Sequence, residues 1–397
     1  MDYDVAVVGA GVLGSSVARR LADDVDVCVL DKEHHLGLHQ SGRNSGVLHP
    51  GYNYEPGTPK AEYAPRGTRR AKEYAADKDV AVDEHGVYVT ARDESEIQVL
   101  ELLLERAEAN GVEARLVDGD EMREVEPHAA GVAALHAPEA ASIDSVAYLH
   151  SLARDAVSRG ARLHLGHELR GVERGDGRRW RLETSCGGVE ADYVVGCAGL
   201  QADRVARLFD VGSGYRVVPF RGEYYELSPD AENLCRTMIY PAPDPELPFL
   251  GVHYTRRTDG KVVVGPNAVL AFGREAYANH GFDVRDMAST FGYAGFWRLM
   301  ASRKMLGVAW SELNKSYRKK RFVEAARSLV PDAEPQQFHR SYSGVRAQLV
   351  SRDGELVDQP LVEHGEASTH VLNAVSPGLT TSLPYGEDLA IDVLERL

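Results

Sequence analysis

The sequence predicts an α/β protein in which a Rossmann-like dinucleotide-binding domain is interleaved with a second, sheet-based (α+β) domain. Three observations support this fold class. The chain opens on a strand, a glycine turn and an amphipathic helix over residues 5–21. A second apolar strand at 191–199 also ends in glycine, and a helix is predicted from about residue 381 to the C-terminus. Strand-rich blocks with proline-rich connections lie between these parts, so we expect one domain to be inserted into the other.

The N-terminal segment has the pattern of a phosphate-binding turn. Val5–Val8 is a short apolar run typical of a strand buried on both faces, and Gly-Ala-Gly-Val-Leu-Gly follows at once. Gly9 permits a tight turn, Gly11 lets the backbone approach a pyrophosphate, and Gly14 lets the helix pack closely on the strand. Asp31 ends the next strand, where a carboxylate can accept hydrogen bonds from a ribose. The pattern predicts a bound dinucleotide but does not distinguish NAD from FAD.

Composition and charge exclude several classes of protein. The 397 residues are 43% apolar, which is ordinary for a folded domain, and no apolar run is long enough to cross a membrane. Sixty acidic residues against 45 basic ones give a net charge of −15, which argues against nucleic-acid binding. Four widely spaced cysteines argue against a disulfide scaffold, and the N-terminus has no signal-peptide pattern, so we expect a cytoplasmic protein.

We also expect no metal site. His34, His35 and His39 lie close together in the sequence, but they lack the spacing that places two ligands on one face of a helix.

Four further segments carry specific patterns. They are residues 41–51 (SGRNSGVLHPG), 219–224 (PFRGEY), 240–269, and 344–348 (GVRAQ) together with 373–378 (NAVSPG). In combination they resemble the D-amino-acid-oxidase-like, FAD-dependent oxidoreductases, and within that group the L-2-hydroxyglutarate oxidases and dehydrogenases. The resemblance covers nearly the whole chain. It implies oxidation of a 2-hydroxy acid to a 2-oxo acid by hydride transfer to flavin N5, with L-2-hydroxyglutarate as the favoured substrate and oxygen or a quinone as the electron acceptor.

The resemblance also implies a domain division. Residues 1–80, 145–213 and 340–397 would form the FAD-binding domain, and residues 81–144 and 214–339 the substrate domain. Some relatives tether the flavin through a cysteine in the C-terminal region, but no cysteine follows Cys235. We therefore expect noncovalent FAD, with a histidyl link left open.

The expected cofactor contacts come from the glycine turn, the polar loop after Asp31, the second glycine-ended strand and the start of the last helix. They are Gly9, Gly11, Gly14, Asp31, Lys32, Ser41, Arg43, Asn44, Ser45, Gly46, Ala198, Gly199, Pro377, Gly378, Leu379 and Thr380. Backbone N–H groups of the loop suit the pyrophosphate, and a helix N-terminus suits negative charge on the reduced flavin ring.

The reaction requires a base and an anchor for a carboxylate. A histidine suits removal of the hydroxyl proton, and His253 and His49 both lie in the matched segments, with His253 preferred. Arg346 lies in a Gly-hydrophobic-Arg segment that resembles the carboxylate-binding segment of relatives, and its planar fork can pair with two oxygens. A dicarboxylate needs further donors, for which the sequence offers Arg221, Tyr240, Tyr254 and Asn267.

Alternatives with the same fold are an oxidase of glycine or D-amino acids and a glycerol-3-phosphate dehydrogenase. A flavin-binding protein without turnover and an NAD-dependent dehydrogenase are further alternatives, the latter disfavoured by the flavin-like segments.

Residues 296–321 carry eight basic residues against one acidic residue, with apolar residues interleaved. The pattern fits either a peripheral membrane contact that passes electrons to a quinone or a solvated helix face.

Overall fold

A computed structural model describes residues 2–175, 179–243, 251–278, 280–301, 319–374 and 376–397. The strands of this part of the chain are β1 (Asp2–Val8), β2 (Val27–Asp31), β3 (Val47–Leu48), β4 (Val82–Asp83), β5 (Val87–Ala91), β6 (Arg115–Asp118), β7 (Ala133–Ala137), β8 (Ala141–Ile143), β9 (Arg162–Leu165), β10 (Leu169–Arg174), β11 (Trp180–Thr184), β12 (Gly187–Gly196), β13 (Tyr215–Leu227), β14 (Met238–Pro241), β15 (His253–Arg256), β16 (Val262–Gly265), β17 (Val269–Leu270), β18 (Phe338–Ser351), β19 (Leu356–Val357), β20 (Leu361–Gly365) and β21 (Ser368–Asn373). The helices are α1 (Val12–Leu21), α2 (Pro59–Asp77), α3 (Ile97–Ala109), α4 (Gly119–Val125), α5 (Ser145–Ser158), α6 (Ala202–Leu208), α7 (Val284–Phe291), α8 (Ala294–Ala301), α9 (Lys319–Arg327) and α10 (Gly378–Arg396).

The first sheet confirms the predicted Rossmann-like core. Its parallel strands follow the order β9-β2-β1-β12-β21, and β10, β11 and β20 extend it in antiparallel fashion. The first strand is central, which is the doubly wound arrangement that places ligands beyond the carboxyl ends of the strands. The β-branched interior of β1 is buried on both faces. The helices α1, α5 and α10 pack on one face, and an apolar cluster that includes α6 covers the other.

The second sheet is separate and mainly antiparallel. Its order is β19-β18-β13-β16-β15-β14-β5-β7-β6, with β17 paired to β13. The long strands β13 and β18 pair along most of their length, from Tyr215 opposite Ser351 to Leu227 opposite Phe338. The discontinuous domain division stays a prediction, and β18, which spans its boundary at residue 340, pairs in this second sheet.

One helix differs from the sequence prediction. The last helix begins at Gly378 rather than near residue 381.

Candidate cofactor and active site

The glycine turn lies at the carboxyl end of β1 and leaves no room for side chains. Gly9 has φ +108°, and a Cβ there would lie 2.4 Å from the Cys197 carbonyl oxygen. A Cβ on Gly14 would lie 1.9 Å from the Gly9 carbonyl oxygen, which no side-chain movement can relieve. Gly11 is less crowded, since its Cβ would meet the Ser41 hydroxyl oxygen at 3.0 Å. The backbone itself therefore forms the surface of this turn.

Asp31 braces the turn from the end of β2. Its Oδ2 accepts a hydrogen bond from the Ala10 N–H at 2.8 Å, and Oδ1 accepts one from the Glu33 N–H at 2.9 Å. Each carboxylate oxygen has a second lone pair, so the predicted contact with a ribose remains open to Asp31.

Lys32 lies in a small charged cluster beside this strand end. Its ammonium pairs with Glu33 and, at 2.9 Å, with Glu275, while His39 Nε2 lies 2.8 Å from Glu33. Ligand atoms of Glu33, His39 and Glu275 lie within 4.8 Å of one another, close enough to hold a metal ion. The lysine ammonium already supplies positive charge to both carboxylates. The absence of a metal stays an expectation.

The loop at 41–46 folds over the turn. The Ser41 hydroxyl accepts a hydrogen bond from the Val12 N–H at 3.1 Å, in the first turn of α1. Asn44 fixes the loop because its amide nitrogen donates to the Gln40 and Ser41 carbonyls and its oxygen accepts from the Gly46 N–H.

Strand β18 crosses close above this loop. A Cβ on Gly344 would lie 2.3 Å from the Arg43 carbonyl oxygen, and the Tyr342 hydroxyl donates to the Asn44 carbonyl at 2.7 Å. The Arg43 guanidinium lies 4.2 Å from the centre of the Tyr277 ring. The loop therefore joins the dinucleotide sheet to the second sheet.

The N-terminus of α10 is uncapped by side chains and faces open space. Pro377 is its N-cap residue and forms no side-chain cap, and a Cβ on Gly378 would meet no atom within 4 Å. Thr380 accepts a hydrogen bond from the His49 N–H at 3.1 Å, which ties α10 to the chain after β3. The helix of 19 residues offers N–H groups and partial positive charge to an anion.

Ala198 and Gly199 follow β12 beside the turn, and Gly199 has φ +48°. Burial raises the pKa of the neighbouring Cys197 thiol to about 12, so this cysteine is not a thiolate near neutral pH.

Arg346 is the electrostatic centre of a second group of residues. It lies on β18 opposite Phe220 of β13 and is partly buried. Its positive charge contributes to lowering the pKa values of His49, His253 and Lys60, and it opposes the rise that burial causes in the pKa of Tyr224. These residues come from five separate segments of the chain, and the fold brings them to one place.

The two candidate bases both lie near Tyr240. The Tyr240 ring centre is 4.1 Å from that of His253 and 6.3 Å from that of His49. Burial, together with the nearby His49 and Arg346, lowers the pKa of His253 from 6.5 to about 3, although a bond to Gly251 acts the other way. Burial and Arg346 lower the pKa of His49 to about 4. Both imidazoles are therefore neutral at physiological pH.

The tautomer of His253 follows from its one hydrogen bond. Its Nδ1 lies 2.9 Å from the Gly251 carbonyl oxygen, and a carbonyl can only accept, so Nδ1 carries the proton. Nε2 then holds a lone pair, and it has no hydrogen-bond partner within the described ranges. Such a nitrogen can take a proton from a hydroxyl group.

Sequence reasoning missed Tyr54, Tyr224 and Lys60. The Lys60 ammonium lies 5.8 Å from the Tyr54 ring centre, and Tyr54 in turn interacts with Tyr240. Tyr224 interacts with Ser45 and stacks on Tyr342 with ring centres 4.6 Å apart. Tyr224 lay inside a matched segment, but Lys60 had no local signal because only the fold brings the start of α2 near Arg346.

Three predicted substrate-binding residues make other contacts in the fold. Arg221 is buried, donates to the Ala278 carbonyl at 2.8 Å and lies 3.4 Å from Glu223. Asn267 bonds the Glu223 backbone and carboxylate at 2.8 and 2.9 Å. Tyr254 packs in the apolar core on the other face of β15 from His253. Their role in substrate binding stays a prediction.

These residues fit a bound FAD. The backbone turn, the open end of α10 and the loop at 41–46 together provide N–H groups for the pyrophosphate and flavin ring at the carboxyl edge of the parallel sheet. Arg346, His253 and Tyr224 lie on strands of the second sheet, which reaches this edge where Gly344 meets Arg43. The two regions define a dinucleotide-binding oxidoreductase with a separate substrate-binding sheet.

Comparison with known proteins agrees with this class. The family model for FAD dependent oxidoreductases (DAO) matches residues 4–390, and the chain belongs to this family. The chain is 35% identical to an L-2-hydroxyglutarate dehydrogenase of Indibacter alkaliphilus over 100% of both chains. It is 34% identical to an L-2-hydroxyglutarate dehydrogenase of Escherichia coli, over 98% of this chain and 93% of that one.

Solved structures agree on the fold. The FAD-bound L-alpha-glycerophosphate oxidase of Mycoplasma pneumoniae matches with a TM-score of 0.82 at 20% identity, over 100% of this chain and 95% of that one. Glycine oxidase from Geobacillus kaustophilus matches with a TM-score of 0.72 at 20% identity, with the same coverage.

In the described ranges, every helix is too short or too polar to cross a lipid bilayer. Most of the basic segment 296–321 lies outside these ranges, since residues 302–318 are not described. At its described start, Trp297 is 56% exposed.

Proposed function

We propose that the protein oxidises L-2-hydroxyglutarate to 2-oxoglutarate. The observation that carries the proposal is the juxtaposition of Arg346 with the unprotonated Nε2 of His253. The relatives at 34–35% identity, named as L-2-hydroxyglutarate dehydrogenases, support the choice of substrate.

The residues divide the work as follows. Arg346 binds the C1 carboxylate through its planar fork and thereby orients the hydroxyl-bearing carbon. His253 Nε2 accepts the hydroxyl proton, and the Gly251 carbonyl holds the imidazole in the required tautomer. FAD, when bound, supplies the two-electron acceptor for the hydride that leaves Cα.

Substrate binding also adjusts the base. A bound carboxylate offsets the positive charge of Arg346, which is one cause of the low pKa of His253. The pKa of His253 should therefore rise when substrate is bound, while burial, the largest cause of the low value, continues to act.

For the cofactor we propose noncovalent binding by the predicted residues of the glycine turn, Asp31 and Lys32, the 41–46 loop, Ala198 and Gly199, and the start of α10. The raised pKa of Cys197 supports this, since a neutral thiol is a poor nucleophile.

Oxygen or a quinone remains the proposed final acceptor, in a cytoplasmic protein. For residues 296–321, most of which lie outside the described ranges, the two alternatives are a peripheral membrane contact and a solvated face, and the exposed Trp297 is compatible with both. Sedimentation with anionic vesicles distinguishes them, because recovery of all protein in the supernatant contradicts the membrane contact.

The main test is anaerobic addition of each enantiomer of 2-hydroxyglutarate to the FAD-loaded protein. We expect the L enantiomer to bleach the flavin absorbance and the D enantiomer to leave it unchanged. Bleaching by glycine, a D-amino acid or glycerol 3-phosphate about tenfold faster than by L-2-hydroxyglutarate would overturn the proposal. Bound FAD that none of these compounds reduces would point to a binding protein without turnover.

A further inference from the structure

Lys60 differs from the other lysines whose side chains the structure describes. Lysines 32, 72, 78, 261 and 320 each form an ion pair, and Lys319 donates to the Phe338 carbonyl at 2.6 Å. In the described ranges, the ammonium of Lys60 forms neither a hydrogen bond nor an ion pair, and it lies 5.8 Å from the centre of the Tyr54 ring. A partly buried ammonium without an anion is costly, because burial removes water without replacing it.

The position of Lys60 is fixed by the start of α2. Thr58 is the N-cap residue and accepts a hydrogen bond from the Ala61 N–H, and Pro59 occupies the first helical position. The Lys60 N–H points toward the Gln359 side-chain oxygen at 3.4 Å. The backbone of Lys60 is therefore held in place, while its ammonium lies near the ring of Tyr54, which in turn interacts with Tyr240.

Lys60 and Arg346 act on each other through space. Burial and Arg346 lower the pKa of the Lys60 ammonium, whereas Asp358 acts in the opposite direction from beyond ion-pair distance. Two positive groups that share a partly buried space repel each other. A ligand with two negative groups would remove this repulsion, and a ligand with one would compensate Arg346 alone.

We propose that Lys60 binds the second carboxylate of the substrate and thereby makes the enzyme prefer dicarboxylic over monocarboxylic 2-hydroxy acids. The inference rests on the proposed function, in which Arg346 holds the C1 carboxylate. Arg346 forms the directional contact, and the flexible ammonium of Lys60 acts as a point charge for the distal group.

The test compares Lys60→Met with the wild-type holoenzyme on two substrates of equal chain length, L-2-hydroxyglutarate and L-2-hydroxypentanoate. Methionine keeps the length of the side chain and removes its charge. For L-2-hydroxyglutarate we expect kcat/KM to fall by about 30- to 100-fold, mostly through a higher KM. For L-2-hydroxypentanoate we expect a change of less than about threefold. Lys60→Arg should restore most of the preference.

Lys72→Met is the matched control, because Lys72 lies on the same helix and pairs with Glu84 outside the site. We expect Lys72→Met to leave kcat/KM unchanged for both substrates. An equal loss on both substrates in Lys60→Met would reveal a purely structural role, and no loss on L-2-hydroxyglutarate would exclude the contact. A further readout is alkaline pH, where the KM for L-2-hydroxyglutarate should rise as Lys60 loses its proton. Lys60→Arg should abolish that rise.

Failure of the proposed function can be told apart from failure of this inference. If the wild-type enzyme oxidises neither acid, binding of the unreactive acids glutarate and pentanoate to the holoenzyme still tests whether Lys60 binds a second carboxylate. A wild-type preference for glutarate that Lys60→Met loses supports the second-carboxylate site. Equal binding of the two acids by the wild type contradicts it.

Discussion

The glycine turn and the Arg346 group are built in different ways. The turn is formed by backbone within one short stretch, and its geometry depends on what is absent, namely the Cβ atoms of Gly9 and Gly14. The Arg346 group is formed by side chains from five segments and depends on charges and burial that only the folded chain creates. The first kind of site is sensitive to added atoms, and the second to lost charges and protons.

The largest effect is expected at the turn. Gly14→Val places side-chain atoms against the Gly9 carbonyl, where even Cβ has only 1.9 Å, so we expect the purified protein to retain no flavin. The measurement is the ratio of flavin to protein absorbance, with circular dichroism to verify folding. Gly214→Ala is the control, since its Cβ would meet no atom within 4 Å.

The milder Gly11→Ala keeps this prediction testable if Gly14→Val does not fold. Its Cβ would meet only the Ser41 hydroxyl oxygen at 3.0 Å, so weaker rather than absent flavin binding is expected. Full flavin content in both variants would show that the backbone turn is not the cofactor site.

At the side-chain site the largest effect should come from the base. His253→Asn should lower kcat by about 10²–10⁴-fold while flavin content stays normal, and His49→Asn should lower it less. Because the pKa of free His253 is about 3, wild-type kcat/KM should not fall through histidine protonation between pH 8 and pH 6. If kcat falls further in His49→Asn than in His253→Asn, His49 rather than His253 is the base.

Arg346→Met should follow, with a loss of about 10²–10³-fold in kcat/KM, because the carboxylate loses its paired cation. Removing this charge should also raise the pKa of His253 and His49, so the acid limb of the kcat/KM profile should shift to higher pH. Arg340→Met is the control on the same strand, since Arg340 has an exposed side chain. Parallel losses in both variants would argue for strand stability rather than substrate binding.

The contrast between the two sites also explains what the sequence could predict. Gly9, Gly14 and Asp31 were recognisable because their spacing within one strand-turn-helix unit determines their geometry. Arg346 lies in a segment that the sequence singles out, but the position of Lys60 beside it depends on how α2 packs in the fold, chiefly against α10. His253 and Tyr254 are adjacent on one strand, so strand alternation places their side chains on opposite faces. Arg221 and Asn267 both contact Glu223, a partner that no spacing rule reveals.

The smallest expected effect is on the free energy of unfolding, through His370 on the strand next to the glycine turn. His370 lies opposite Gly196 in the pairing of β12 with β21, and neither ring nitrogen has a hydrogen-bond partner in the described ranges. Burial, with a lesser contribution from His364, lowers the pKa of His370 from 6.5 to about 4. Between pH 6.5 and about pH 4 the unfolded chain binds a proton at His370 that the folded chain does not, so the free energy of unfolding falls as the pH falls.

His370→Leu should therefore reduce the pH dependence of stability by about 1.4 kcal/mol per pH unit between pH 6 and pH 5. Urea denaturation of the FAD-loaded protein at pH 7, 6 and 5 measures this, and His150→Gln, at an exposed position on α5, is the control. His49 and His253 contribute with the same sign, so the variant should keep part of the slope. If the pH dependence of the free energy of unfolding is unchanged in His370→Leu, the His370 imidazole can gain a proton in the folded protein. The backbone next to the turn would then be more adaptable than the crowding at Gly14 implies.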